Sequence, residues 1–551
     1  MAKNIARVEP NLLDKFITIL NPAAGLKRWQ YRRHLALSGA YTGARYDRRA
    51  IRDWYVANGS ADADTLHDLH ILRVRCRDLR RNNAIAGGAI DNLVRDVVGT
   101  GLSVHPKPDF KALGMNEDEA STWAEKTSRE FELWAGSKDC DITRTENFYQ
   151  QQKLAMRSTL ESGDTFILLP SVAVPGGLYK TRIQIIEADR VDSPNGEGVP
   201  VSYQASADST ATESSPIFGG VECDANGAPV AYIIYDEHPG ALGYTGNRNK
   251  WKRYAAFGTR TGRRTVLHLF NRERPDQKRG VPYLATIVEL LKQLGRYTDA
   301  EIMAAVVTSM YTVFIESEAP QHQVSEPSKP GKANDIELGA GLINVLAPGE
   351  KVSFPNAMRP NAAFDPFVLA ILRQIGMRLG IPYEVLIKHF TASYSAARAA
   401  LLEFWKLVKD FRNFLATNFC EPVYETWLDE AVALGVISAP GYFTDARIRK
   451  AYQRCECVGD APGQIDPVKE TEASKLKVSE GFSTIEREAM KLEGVSWLEL
   501  HNQRRREHAM RVEAGLEPAI ANATATEAVN PPTTKPEPNP DAPDNEAPEA
   551  A

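Results

Sequence analysis

Two helical stretches that cannot bury their own apolar faces dominate the middle of this chain. Gly280, Val281 and Pro282 open the first, which is expected to run from residue 283 to about 309. Leu284, Ile287, Val288, Leu291, Leu294, Ile302 and Ala305 recur there at close to the helical period. At this length the helix would be about 40 Å long. Strand-like residues 311–315 follow, then a polar, Pro-rich excursion over 316–332. A second strand-like piece covers 341–346 and ends in a Pro348-Gly349 turn. The second helix begins at Asp365-Pro366, with the Asp as N-cap and the Pro as first helical residue. Its core stripe is Phe367, Val368, Ile371, Leu372, Ile375 and Leu379, and Ile381-Pro382 stops it. Two helices thus enclose a small strand-and-loop module. Neither is apolar enough to span a membrane, and both need packing partners.

The chain has 551 residues, enough for two to four domains or for one domain with long extensions. Its 43% hydrophobic and 25% charged residues are those of an ordinary soluble protein. A net charge of −5 does not announce nucleic-acid binding, so any DNA-facing surface must be local. No run of about 18 uncharged apolar residues exists, which argues against a transmembrane helix. The start, Met1-Ala-Lys-Asn-Ile, lacks a secretory apolar core. Six cysteines are too sparse for a disulfide scaffold and fit a reducing cytoplasm.

Residues 1–58 interleave Lys27, Arg28, Arg32, Arg33, Arg45, Arg48, Arg49 and Arg52 with Trp29, Tyr31, Tyr41, Tyr46, Trp54 and Tyr55. Such a segment suits an extended arm docked on a neighbouring subunit, or direct contact with DNA. A single helix is expected from Asp64 to about Val98, with Leu66, Leu69, Leu72, Cys76, Leu79, Ala86, Ile90, Leu93 and Val97 on one stripe. Arg73, Arg75, Arg77, Arg80 and Arg81 then fall mostly on other faces and read as a solvated polar surface. Gly99-Thr-Gly101 ends this helix. Amphipathic helices are expected over 119–134 and 148–161. Strands are expected over 164–170, 182–187, 221–223, 230–235 and 266–270, separated by Gly-rich turns. The domain is α+β.

Residues 395–435 read as one long helix with Leu401, Leu402, Trp405, Val408, Phe411, Leu415 and Phe419 inside, kinked at Pro422. Short helices follow over 445–452, 467–481, 484–491 and 496–514, with start signals at Asp466-Pro467 and at Ser483 with Glu486. From Asn522 to Ala551 the composition of Ala, Pro, Thr, Asn and acidic residues cannot bury a core, so disorder is expected.

Catalytic signatures are missing. The chain has no phosphate-binding Walker motif, no G-x-G-x-x-G after a strand, no H-E-x-x-H and no G-x-S-x-G. Cys455-x-Cys457 could be half a metal site but has no second pair, so packing is the plainer reading. Asp164, Glu187, Asp189 and Asp192 are close in sequence and could hold Mg²⁺, but acids at strand ends are usually solvated turn residues. No cofactor and no metal are expected. A capsid-associated maturation enzyme, a protease or nuclease, stays as the alternative function and would need a catalytic pair in a pocket.

Several segments taken together resemble the lambda-type family of tailed-phage portal proteins. They are Leu79-Arg-Arg-Asn-Asn-Ala-Ile-Ala-Gly-Gly-Ala-Ile-Asp-Asn-Leu93 with Val98-Gly-Thr-Gly-Leu102, then Ser162-Gly-Asp-Thr-Phe166 and Ile186-Glu-Ala-Asp-Arg-Val191. Further on are Arg279-Gly-Val-Pro-Tyr283, Ser393-Tyr-Ser-Ala-Ala-Arg-Ala399, and Ile465-Asp-Pro-Val-Lys-Glu470 followed by Gly481-Phe-Ser-Thr484. Their order and spacing span roughly residues 40–515. One departure is the run Cys455-Glu-Cys-Val-Gly, where an aromatic residue is expected.

The resemblance implies a portal-type architecture. The N-terminal arm is 1–60, the α+β wing 61–279, the first stem helix 280–310, the clip 311–355 and the second stem helix 356–382. A tunnel loop takes 383–399, a long wing helix 400–443, a helical crown 444–518 and a disordered acidic, Pro-rich tail 519–551. It further implies a ring, usually of twelve subunits, at one capsid vertex of the virion, assembled in the host bacterial cytoplasm. Double-stranded DNA passes through the ring without sequence reading. The implied partners are the terminase large subunit, the major capsid and scaffold proteins, and head-completion or tail adaptor proteins, with no membrane. On the second stem helix Arg373, Gln374 and Arg378 fall opposite the core stripe. With Lys388, His389 and Tyr394 from the following loop, Arg373 and Arg378 are the expected channel-lining residues. The alternatives are that Arg373 and Arg378 pair with carboxylates of an adjacent subunit and that Lys388 faces solvent.

The tail supplies a first test. Deleting residues 522–551 should leave assembly into rings intact by electron microscopy, because almost no apolar side chain is removed. Loss of rings would contradict this.

Overall fold

The computed structural model describes residues 11–37, 49–194 apart from 52, 55 and 57, 201–202, 216–242, 250–310, 314–317, 350–353, 364–390, 393–461, 467–495 and 497–516. The expected 341–346 strand, most of the clip and the acidic tail lie outside the described residues. The chain divides into one compact unit ending at Asp460 and a second beginning at Ala461.

Within the N-terminal segment, which the sequence suggested is extended, the described residues 11–37 are helical. Helices α1 (Leu12–Leu20) and α2 (Pro22–Leu37) pack as a pair. Asn11 and Asp14 form a capping box on α1, and Arg28 Nε donates to the buried Asp14 carboxylate at 3.2 Å. Leu13, Phe16, Ile19 and Leu20 stay exposed.

The expected helix from 64 to 98 is two helices, α3 (Ala61–Asn82) and α4 (Ala84–Val98). Asn83 breaks them. Its backbone is extended and its side chain accepts from the N–H groups of Ile85 and Ala86, capping α4. The start is capped by Ser60 rather than Asp64. Gly99 ends α4 with φ +58°, as the glycine signal implied. The apolar stripe is buried except at Leu72, which is half-buried. Helices α5 (Phe110–Leu113), α6 (Glu117–Ala135) and α7 (Phe148–Ser162) complete the N-terminal half.

Strands β2 (Asp164–Leu168), β3 (Gln184–Ile186) and β9 (Val266–Phe270) form an antiparallel sheet in the order β3-β2-β9. A second, five-stranded antiparallel sheet runs β4 (Val201–Ser202), β5 (Pro216–Phe218), β6 (Val221–Cys223), β7 (Pro229–Tyr235) and β8 (Trp251–Ala255). Strands β4, β5 and β8 were not apparent from sequence. Strand β1 (Ser103–Pro106) pairs with β12 (Cys455–Val458), Val104 opposite Cys457. The Cys-x-Cys pair is therefore part of a strand pair within the first compact unit.

Helix α11 (Tyr394–Leu415) passes through one π turn, Ala416–Cys420, into α12 (Glu421–Ala433). Pro422 has no N–H to donate and its ring would crowd the preceding turn, so the widened turn just before it relieves the conflict. The π turn also buries Phe419 and Cys420 together. Phe419 joins an aromatic core in which Phe131 lies 5.7 Å from Phe148, 5.5 Å from Tyr424 and 5.1 Å from Trp427, all edge-on. Leu402, expected inside, is exposed. Helix α13 (Ala446–Gln453) packs against α12. The second unit holds α14 (Pro467–Ser479), α15 (Ile485–Leu492) and α16 (Trp497–Glu513). The N-cap of α15 is Thr484 rather than Ser483.

The largest departure from the sequence reading concerns charge. Asp164, taken for a solvated turn acid, is fully buried. Arg73, taken for part of a solvated face, is only 4% exposed and donates from Nη2 to Asp164 Oδ1 at 2.9 Å and from Nε to the Ser162 carbonyl at 2.9 Å. Arg279 donates from Nε to Asp164 Oδ2 at 2.5 Å, and the remaining nitrogens serve the carbonyls of Val191 (2.6 Å), Ala188 (2.9 Å) and Gly219. Asp189 takes Arg77 and lies 3.9 Å from Arg73. Arg80 meets Glu161 at 2.7 Å, while Arg75 and Arg81 are exposed. Burial alone would raise the Asp164 carboxyl. Arg279 and Arg73 outweigh it and hold that carboxyl far below the usual range. Burial also pushes Arg73 down to about 10, against the pull of Asp164.

Replacing Asp164 by Asn leaves two buried guanidinium groups without their shared counter-charge. The expected loss is about 3–5 kcal/mol in urea unfolding. The depressed carboxyl contributes fully above its unfolded value near pH 4 and is lost only as pH falls through the lower folded value. The penalty should therefore be the same at pH 7 and pH 5. A penalty below about 1 kcal/mol, or one that shrinks between those pH values, would contradict this assignment.

Candidate nucleic-acid interface

The first of the two long central helices begins where the buried charge cluster ends. Gly280 follows Arg279 directly, and its N–H donates to Asp164 Oδ2 at 3.3 Å. Gly163 and Gly280 cross so closely that a Cβ on Gly280 would lie 2.0 Å from the Gly163 carbonyl oxygen. Both positions need glycine for that approach. Tyr283 N–H donates to the Leu160 carbonyl at 2.9 Å, seating the stem base on α7. A 3₁₀ turn, Ala285–Ile287, then leads into α8 (Val288–Met310).

Strands β10 (Phe314–Ser317) and β11 (Glu350–Ser353) pair antiparallel, Phe314 opposite Ser353. They join α8 to α9 (Phe364–Leu379), and α8 packs on α9. Leu284, Ile287, Leu291 and Leu294 are buried with Leu372, Ile375, Leu379 and Ile381. Tyr297 stacks on Phe364 at 5.6 Å and meets Phe367 edge-on at 4.9 Å. The Tyr283 hydroxyl donates to the Leu379 carbonyl and ties the two helices at their base. Phe367, expected in the core stripe, is nonetheless 49% exposed. Ile302, Met303 and Val306 of α8 and Met377 of α9 are exposed as well.

Arg373, Gln374 and Arg378 are all exposed, as their spacing on the helix dictates. Their surroundings differ. Arg378 Nε donates to Thr286 Oγ1 at 2.7 Å and Arg378 Nη2 lies 4.0 Å from Glu273, both in its own chain. Arg373 lies over the Tyr383 ring at 5.0 Å, a cation–π contact, with no ion pair among the described residues.

The segment after α9 is more ordered than a plain loop. Tyr383–Ile387 is a short helix, α10, and Tyr394 is already the first residue of α11. Lys388 caps α10 in the left-handed conformation, φ +55°, and the N–H groups of Lys388 and His389 both return to the Glu384 carbonyl. This cap turns the chain sharply and leaves Lys388, His389 and Phe390 exposed. Tyr394 is 47% exposed. The structure thus sets Arg373 against the first residue of α10, the helix whose other end presents Lys388 and His389.

Two cations on α8, Lys292 and Arg296, are also exposed and were not singled out from sequence. Their spacing of four residues puts them on one face and was the available signal. Of the carboxylates weighed for Mg²⁺, Asp164 and Asp189 are engaged by arginines and Asp192 by the Ser193 N–H, while Glu187 lies 3.6 Å from His238 Nε2. No cluster of three or more His, Cys, Asp or Glu side chains able to hold a metal occurs among the described residues. Exposed guanidinium and ammonium groups on a rigid helix pair can meet phosphates as point charges. They carry no arrangement for reading base edges.

The chain matches the family described as phage portal protein, lambda family, over residues 47–412. That span holds the buried charge cluster, helices α8 and α9 and all five expected lining residues. Portal protein B of Escherichia phage lambda is 26% identical over 502 residues, covering 87% of this chain and 90% of that protein. The portal protein of Escherichia phage N15 is 25% identical over 503 residues, covering 87% and 91%. Among solved structures, a chain from the neck of an empty gene transfer agent particle aligns with TM-score 0.44 and 12% identity, covering 77% of this chain and 92% of that one.

Proposed function

This chain belongs to the lambda family of phage portal proteins, and on that premise we propose that Arg373, Arg378, Lys388, His389 and Tyr394 line a DNA channel at the centre of a closed ring. The protein is a portal protein of a phage virion. Its role in this reading is structural, a conduit that performs no bond chemistry. The ring has twelve copies, formed in the host cytoplasm and carried in the capsid at one vertex. Its clip, 311–355, is gripped by the terminase large subunit during packaging and by head-completion or tail adaptor proteins afterwards. Its wing and crown meet the major capsid and scaffold proteins.

The observation that supports the channel assignment is that Arg373 rests on Tyr383, the first residue of the short helix α10 whose C-cap is the exposed Lys388. Both cations are exposed, held on rigid elements, and without an ion pair among the described residues. Exposed Ile302, Met303, Val306 and Met377 on the same two helices support the ring, since a neighbouring copy would cover them. Repeated around a closed ring, each cation becomes a belt of positive charge that meets any phosphate passing it. A few such belts guide a duplex, whereas a continuous basic wall would stall it. Arg378 contributes less in this reading because Thr286 and Glu273 already engage it.

The test replaces Arg373, Arg378 and Lys388 by Gln, singly and together, in particles whose rings are verified by electron microscopy. The triple variant should package and retain less DNA than the parent, with a weaker dependence on salt, and Arg378→Gln should be the mildest single change. Rings that form normally and package and retain DNA like the parent across salt would overturn the assignment.

A further inference from the structure

A cleft of about 490 Å³ opens between the β8–β9 connection, which the Phe257–Arg264 bridge closes, Ser171 and Thr181, the end of α12, and α13. Arg260, Arg263 and Arg449 line it together with Asp429 and Glu430. The two acids are already engaged. Glu430 accepts the N–H groups of Lys180 (2.7 Å) and Thr181 (2.8 Å) and the Thr181 hydroxyl (2.6 Å). Asp429 accepts the Tyr442 hydroxyl (2.8 Å), Arg449 Nη2 (2.6 Å) and Gln453 (3.3 Å). Arg260 and Arg263 have no ion pair among the described residues, and Arg263 is half-buried where it lines the cleft. Three arginines against two carboxylates leave the cleft with a net positive charge, Arg449 and Arg263 both acting on Asp429.

Shape decides what can use them. The site is concave and closed by α12 and α13 on one side, so it admits a side chain or a short extended segment and not a nucleic-acid duplex. Phe443, 61% exposed, stands at its lining beside the arginines and offers apolar contact next to the charge. We propose that this cleft is a docking site for an acidic peptide segment of a partner protein, with a carboxylate between Arg260 and Arg263 and a neighbouring apolar side chain on Phe443. Guanidinium groups hold a carboxylate through two parallel N–H bonds, which suits paired arginines at a protein interface. The arginines of the β8–β9 connection and the end of α12 sit on separate elements, so an occupant would also brace the five-stranded sheet against α12.

The probe is a fluorescein-labelled hexapeptide of alternating glutamate and leucine, titrated by anisotropy onto the full-length protein. It should bind the parent. Arg260→Gln with Arg263→Gln should weaken binding about tenfold or more. Ala433→Trp, which fills the cleft and keeps every charge, should weaken it comparably with an unchanged circular dichroism spectrum. The same peptide with glutamine for glutamate should not bind. The proposal is overturned by absence of binding, or by binding indifferent to both variants. It is equally overturned if Arg75→Gln with Arg81→Gln, exposed on α3, weakens binding as much, since the effect would then be general charge. Displacement by inorganic phosphate or a short DNA duplex at concentrations like the peptide's would reassign the cleft to a simple anion or to nucleic acid.

Discussion

One carboxylate shared by two buried arginines organises this protein. Asp164 is the first residue of a sheet strand, Arg73 comes from an early helix and Arg279 from the last residue before the stem. Three segments more than 90 residues apart are thereby pinned to a single point. Such an arrangement is tolerated because the buried charges are paired and every nitrogen of Arg279 is hydrogen-bonded. Arg279 alone satisfies Asp164 and three backbone carbonyls from the 188–191 turn and the Gly219 loop. A buried ion pair is poor evidence of net stability against an apolar alternative, but it is directional in a way apolar packing is not. Here the direction sets where the stem leaves the body, since Gly280 hydrogen-bonds to the same carboxylate.

The cluster also gives a structural role to three short, chemically plain segments of the sequence. Ser162-Gly-Asp-Thr-Phe, Ile186-Glu-Ala-Asp-Arg-Val and Arg279-Gly-Val-Pro-Tyr contain no nucleophile–base pair. In the fold they meet: Asp164 receives Arg279, Arg279 reaches the carbonyls of Ala188 and Val191, and Gly163 and Gly280 let the backbones cross. Their residues are joint parts for a helix that must leave the body at a fixed angle.

Helices α8 and α9 were legible because their apolar residues keep the helical period, and Arg373 and Arg378 were placed on an exposed face by the same arithmetic. The buried cluster was not legible. Arg73 sits among Arg75, Arg77, Arg80 and Arg81, and nothing local separates Arg73, Arg77 and Arg80, whose carboxylate partners lie far away in sequence, from Arg75 and Arg81, which face water. The break at Asn83 was missed for a related reason: no Gly or Pro marks it, and only the Asn side chain's competition for backbone N–H groups does. Strands β4, β5 and β8 are short or lack clean alternation, so their identity comes from pairing in the sheet and not from local preference. The ordered turn at Lys388 depends on a left-handed residue that is not glycine, which sequence preference does not single out.

The central claim is that the Asp164 joint aims the stem so that the α9 cations and the Lys388 turn face a common axis. A reconstruction of the assembled full-length protein by electron cryomicroscopy tests it most directly. The account predicts a closed ring in which Arg373 and Lys388 of every copy project into the lumen, with Asp164 buried between Arg73 and Arg279 in each subunit. An open filament, or a closed ring whose lumen is formed by another surface with Lys388 on the outer wall, would contradict it.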